Sequence, residues 1–185
     1  MGTVDRAVVL LSGPVGAGKT TLAKALLSQL GFERLFTRDA ILRRLPETPR
    51  TRVDLQAAGE RLDHMTGGQW VADELVELMS RDSSSPGFVV DAVLIPQQVE
   101  AVRRASQGPV VHVHLTAPRH ELEARYVKKR SGLAESDNYS VVLRSRTEAN
   151  VDQLSKQADL LFNTAETSLQ KEVDIVAKHL GQEAS

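Results

Sequence analysis

A chain of 185 residues, 41% of them hydrophobic, suffices for one domain with a real core and leaves no room for a second catalytic domain beside it. Its 23 basic side chains are balanced by 24 acidic ones, a formal charge of −1, which argues against the broad basic footprint of a duplex nucleic-acid binder. It has no cysteine, which excludes disulfides and thiolate metal sites, and no run reads as a leader or a membrane span, so a cytoplasmic location is the expectation.

The first element is the apolar run Ala7–Leu11, which reads as a buried strand. It leads into Gly13-Pro14-Val15-Gly16-Ala17-Gly18-Lys19-Thr20-Thr21, a complete G-x-x-x-x-G-K-T. A phosphate chain needs several N–H groups aimed into one concavity, and glycine lets the backbone wrap closely enough to aim them. Lys19 is expected on the β- and γ-phosphates and the Thr20 hydroxyl on Mg²⁺. Leu22, Leu26 and Leu30 then recur at helical spacing over Lys19–Leu30, and Gly31 supplies the stop.

A short strand, Phe32–Phe36, follows and runs into Thr37-Arg38-Asp39, with Arg43 four residues beyond Asp39. At the carboxyl edge of a sheet, Asp39 is placed to accept the proton of an acceptor hydroxyl while Arg38 or Arg43 clamps an anionic group. The alternative is that Asp39 caps a helix over Ala40–Leu45. Pro46 and Pro49 mark a loop, and a helical pattern extends from Val53 through Met79. Arg52 and Gln56 stand four residues apart on one face, as an acceptor-reading pair or as a solvated face, and Trp70 reads as packing.

Ser83–Gly87 is a loop, and Phe88–Asp91 an apolar strand ending in a carboxylate suited to Mg²⁺, the Walker B arrangement. After a helix at Gln97–Ala105, the strand Val110–Leu115 carries His112 and His114 on one side, read as strand histidines rather than a metal pair. The helix Arg119–Arg130 ends in cations. Arg125 and Arg130 are expected as lid residues that stabilise a transferring phosphoryl group, with helix-dipole complementarity as the alternative. Helices at Val141–Gln157 and Leu169–Leu180 flank a strand at Asp159–Asn163. Such alternation predicts a parallel sheet covered by helices on both faces.

In this order, Gly13–Thr21, Arg38-Asp39, Val90-Asp91, Arg125 with Arg130, and Ala158–Thr164 together resemble the P-loop kinases related to nucleoside monophosphate kinases and dephospho-CoA kinase, over nearly the whole chain. The resemblance implies an α/β three-layer P-loop NTPase fold with a five-stranded parallel sheet in the order 2-3-1-4-5. It also implies that Asn163 and Thr164 flank the base of ATP. The Arg38-Asp39 segment through Arg43 is similar to polynucleotide 5′-hydroxyl kinases, where the matching aspartate is the base. Leu55-Gln56-Ala57-Ala58-Gly59 and Trp70-Val71-Ala72 resemble a group of kinase-like bacterial proteins. Two features depart from the nucleoside monophosphate kinases. Asp91-Ala92-Val93-Leu94 stands where they carry Gly-x-Pro-Arg, and the lid segment is short and lacks a zinc-binding cysteine pair.

The expectation is thus one kinase domain over residues 1–185, with an acceptor-site segment at about 38–80 and a short lid at about 125–140. Its cofactors are ATP and Mg²⁺, and its partner is a small-molecule acceptor, a nucleotide or nucleoside first. The competing readings are a regulatory ATPase switch and a 5′-hydroxyl kinase on nucleic-acid ends, the latter disfavoured by the neutral charge. No Asn-Lys-x-Asp segment follows Asp91 to read guanine. Oligomeric state and acceptor identity stay open.

Overall fold

In β1 (Ala7–Ser12) all six residues are buried, which is why its first five form a continuous apolar run rather than an alternating one. A computed structural model describes residues 5–82, 84–130 and 147–181. Parallel pairing places β1 between β3 (Gly87–Asp91) and β4 (Val110–Thr116), with β2 (Glu33–Phe36) and β5 (Leu160–Asn163) outside them. The five-stranded order β2-β3-β1-β4-β5 is the one implied by the resemblance. Each strand end falls within a residue of its expected position.

Successive side chains of a strand point to opposite faces, so each face has its own core. Val9, Leu11, Val89, Val111 and Val113 pack under α1 (Lys19–Leu30) and a C-terminal helix, Leu169–His179. Val8, Leu10, Val90 and Phe88 pack under α2 (Thr37–Arg44), α3 (Arg52–Thr66), α4 (Gln69–Arg81) and α5 (Pro96–Ala105). On the first face α6 (Arg119–Arg130) contributes Leu122 and Tyr126, and on the second α7 (Thr147–Gln157) contributes Leu154. The helix Leu169–His179 is α8.

Two boundaries differ from expectation for physical reasons. The Val53–Met79 pattern is two helices, because Gly67 and Gly68 both take left-handed conformations (φ 60° and 81°) that end α3 and begin α4. Periodicity runs across the break because both helices bury the same core. Helix α2 starts at Thr37 with Phe36 as its cap residue, so Asp39 lies inside the first turn and does not cap. Of the helix expected at Val141–Gln157, residues 147–157 are helical and 141–146 lie outside the described residues.

Candidate active site

The phosphate-type loop joins β1 to α1. Gly13, Gly16 and Gly18 all have positive φ, and a Cβ on Gly13 would collide with the Leu115 carbonyl of β4. Only glycine lets the loop lie this close to the sheet. Lys19 Nζ donates to the carbonyls of Gly13 (2.7 Å) and Pro14 (2.8 Å), which folds the ammonium over the loop. The backbone N–H of Ala17 donates to Pro14, and those of Thr21 and Leu22 donate to Gly18.

Asp91 ends β3 beside this loop because β1 and β3 pair in register, Leu11 opposite Asp91. The Thr20 hydroxyl lies 3.5 Å from Asp91 Oδ2, so the two predicted magnesium oxygens do meet. One hydroxyl and one carboxylate are hard donors suited to Mg²⁺, which keeps water and phosphate oxygens as its other ligands. Among the described residues no three His, Cys, Asp or Glu side chains gather as an all-protein cage.

Arg34 is a site residue that the sequence does not single out. It forms an ion pair with Asp91 Oδ2, with only 5% and 9% of the two side chains exposed, and its guanidinium carbon lies 3.5 Å from the centre of the Phe36 ring. The one usable signal is an arginine inside a short strand that also carries Leu35 and Phe36. Thr37, also unassigned, uses its hydroxyl to bridge the main chain at Asp91 and Ala92, donating toward both carbonyls and accepting from the Ala92 N–H.

Asp39 is exposed and opens onto a crevice along the outer edge of β2, lined also by Arg34, Phe36, Arg43, Glu74 and Arg81. Arg43 is in that crevice too, but its Nε and Nη2 both donate to Glu74, and Arg44 donates to the other oxygen of the same buried carboxylate. The Arg43 guanidinium is therefore half committed to pinning α2 on α4. The other acceptor candidates are not gathered there. Arg38 is exposed, Gln56 donates to Glu60, and the Arg52 guanidinium stands 5.8 Å from the centre of the Tyr126 ring on α6.

Arg125 lies against the far side of the loop. Its Nη1 donates to Thr164 Oγ1 (2.8 Å) and to the Gly16 carbonyl (3.4 Å), and its Nη2 to the Thr164 carbonyl (3.3 Å). It thus ties the phosphate-type loop to the segment after β5 instead of standing free over it. Asn163 shapes that segment by accepting the Ala165 N–H, while Thr164 donates to the Thr116 carbonyl. The Arg130 side chain and residues 131–140 of the expected lid lie outside the described residues.

Under the loop, Ser12 Oγ is 2.7 Å from His112 Nε2 and 2.8 Å from His114 Nδ1, all three residues buried. The histidines are joined through a hydroxyl, in keeping with their reading as strand residues. Burial pushes both imidazoles down to about 4, and for His114 the neighbouring His112 and Lys19 add to the effect.

A family model described as AAA domain (AAA_33) matches residues 8–144, the stretch that contains the loop, Asp39, Asp91 and Arg125. The chain belongs to that family. Its relatives in sequence are kinases. Adenylate kinase 9 of Mus musculus is 30% identical over 124 residues, 63% of this chain, although the chain spans only 6% of that protein's length. Cytidylate kinase of Ignicoccus hospitalis is 29% identical over 136 residues, 74% of this chain and 72% of the relative. Among solved structures, the tunicamycin resistance protein of Deinococcus radiodurans superposes with a TM-score of 0.64 at 20% identity, covering 97% of this chain and 98% of that one. A sugar kinase from Janibacter gives 0.59 at 19% identity, covering 95% and 94%. These two share the fold.

Proposed function

We propose that the protein is an ATP- and Mg²⁺-dependent kinase that transfers the γ-phosphate to a nucleotide, nucleoside or similar small acceptor. The observation that carries this is the meeting of Thr20 and Asp91 where β1 and β3 end, with Lys19 folded over the loop that follows β1 and Asp39 in the first turn after β2. Membership of the family and the kinase relatives support it. Residues 13–21 cradle the triphosphate and Lys19 turns from its own loop carbonyls to the phosphates. Thr20 and Asp91 hold Mg²⁺, which when bound offsets negative charge on the phosphate oxygens.

Asn163 and Thr164 flank the base, and the Arg125–Thr164 contact supports a place for Arg125 beside that segment. Arg130 remains the candidate for stabilising the transferring group. Asp39 accepts the proton of an acceptor hydroxyl as that oxygen attacks the γ-phosphorus and ADP departs, with Arg38, Arg43, Arg52 and Gln56 as candidates to position the acceptor. Incubating the protein with Mg²⁺ and ATP and with panels of nucleosides, nucleotides, sugars and oligonucleotides, with product detection by mass, tests this. An ATPase whose hydrolysis no panel member couples to a phosphorylated product contradicts it.

A further inference from the structure

The pair Arg34–Asp91 has more structure around it than a strand-to-strand staple requires. Arg34 faces Val89 across β2–β3 and Phe36 faces Asp91, so Arg34 and Asp91 lie on the same face, one diagonal step apart and within reach of a long side chain. Arg34 Nε is buried with no hydrogen-bond partner. Leaving a guanidinium nitrogen unsatisfied in a buried position is unfavourable, and a charge kept there under those conditions calls for a reason beyond stability. Phe36 stacks on one side of the guanidinium and Asp91 holds its end, so the cation is fixed. Both the Arg34 Nη2 and the Thr20 hydroxyl meet the carboxylate at the same oxygen, Oδ2, and Oδ1 takes part in neither contact.

We propose that Arg34 is a positioning residue for the metal site: a tethered cation that orients Asp91 and screens its charge, so that the carboxylate accepts a divalent cation together with a nucleotide and not as the free ion. This rests on the reading of Asp91 as the metal carboxylate. A fixed positive charge touching one carboxylate oxygen opposes a second cation at the other. The phosphates of a nucleotide supply the negative charge that reverses the balance, and Oδ1 stays available to the ion or its water. Metal-free protein is thereby kept from capturing the ion ahead of its substrate.

The test is a Mn²⁺ titration of the full chain followed by the loss of the free-ion paramagnetic resonance signal, with and without a non-hydrolysable ATP analogue. Without nucleotide, Arg34→Gln is expected to bind Mn²⁺ about tenfold or more tightly than the wild type, as expected when a contacting like charge is removed. Arg34→Lys, which keeps the charge, stays as weak as the wild type, and Arg34→Gln combined with Asp91→Asn loses the gain. If Arg34→Gln does not fold, Arg34→Met keeps the packing on Phe36 and takes its place. Equal Mn²⁺ affinity in wild type and the neutral variants overturns the proposal, and so does an equal gain in Arg34→Lys, which would assign the effect to geometry. Asp91→Asn alone separates the two ideas: if it leaves Mn²⁺ binding with the nucleotide unchanged, the metal-site reading itself fails.

Discussion

Thr20 and Asp91 stand 71 residues apart in the chain and 3.5 Å apart in space, hydroxyl to carboxylate. The contact joins the start of α1 to the end of β3 and exists because β1, which leads into α1, pairs in register with β3. Asp91→Asn is expected to raise the Mg²⁺ concentration needed for half-maximal activity at least several-fold and to lower stability, because it leaves the buried Arg34 guanidinium without its carboxylate. ATP is expected to bind much more tightly than GTP, since the sequence has no Asn-Lys-x-Asp segment after Asp91 to read guanine. Calorimetry with both nucleotides and a Mg²⁺ titration of turnover check this, and equal affinities would contradict it.

Lys19→Ala is expected to abolish phosphoryl transfer without unfolding the chain. The ammonium donates to carbonyls of its own loop rather than to groups of the core. Near-normal turnover alongside an unchanged circular dichroism melt would remove the phosphate-loop assignment.

Asp39→Asn is expected to leave ATP affinity nearly unchanged and to slow transfer to the true acceptor by roughly 10²–10⁴, the range for loss of a positioned general base. Asp39 opens onto the crevice along β2, whereas Lys19 folds over the loop that follows β1. ATP binding, background hydrolysis and transfer, measured on one variant, tell the cases apart. Lost ATP binding moves Asp39 into the nucleotide site, and unchanged transfer makes it a surface residue of α2.

His112 and His114 make stability depend on pH. With native values near 4 against 6.5 when unperturbed, both stay neutral in the folded protein while the unfolded chain takes up protons. Stability therefore falls as pH falls from about 6.5 to about 4. Asp63 and Glu172, whose carboxyls are raised by burial, work in the opposite sense. Replacing His114 by Asn is expected to flatten the slope of unfolding free energy in that window by about 1.4 kcal/mol per pH unit, one proton's worth. Urea titrations at several pH values measure it, and an unchanged slope counts against a depressed His114.

Gly67 and Gly68 predict unequal costs. A Cβ on Gly67 meets nothing within 4 Å, whereas on Gly68 it would lie 3.0 Å from the Gln98 nitrogen and 3.1 Å from the Gln97 carbonyl carbon. Gly67→Ala is expected to cost about 1 kcal/mol, the strain of a left-handed alanine, and Gly68→Ala about 2–3 kcal/mol. Equal urea midpoints for the two variants would show that α5 yields to the added methyl.

The phosphate loop, the five strands and the carboxylate of Asp91 were legible because each is a local pattern: a motif, an apolar run, a strand with an acid at its end. Arg34 was not, because its role depends on which strand becomes the neighbour of β3, and β2 holds only four residues. Arg43 read as a free clamp because Glu74, which holds it, lies 31 residues away on another helix. The α3–α4 break at Gly67-Gly68 was not read from the sequence, because helical periodicity continues on both sides of it. Arg125 does lie near the loop, and its partner Thr164 could be known only once β5 was seen beside β4.

Trp70 Nε1 donates to Asp63 Oδ1, Gln98 Nε2 donates to the same oxygen, and Gln98 Oε1 accepts the N–H of Leu94, three residues past Asp91. The sequence contains one tryptophan. Its indole is therefore wired, through two side chains, to the loop that follows Asp91. If nucleotide or acceptor binding shifts that loop, the polarity around a single fluorophore is expected to change with it, and the indole becomes an intrinsic optical reporter of the candidate site. Binding can be followed by emission from unlabelled protein, with Trp70→Phe as the silent control.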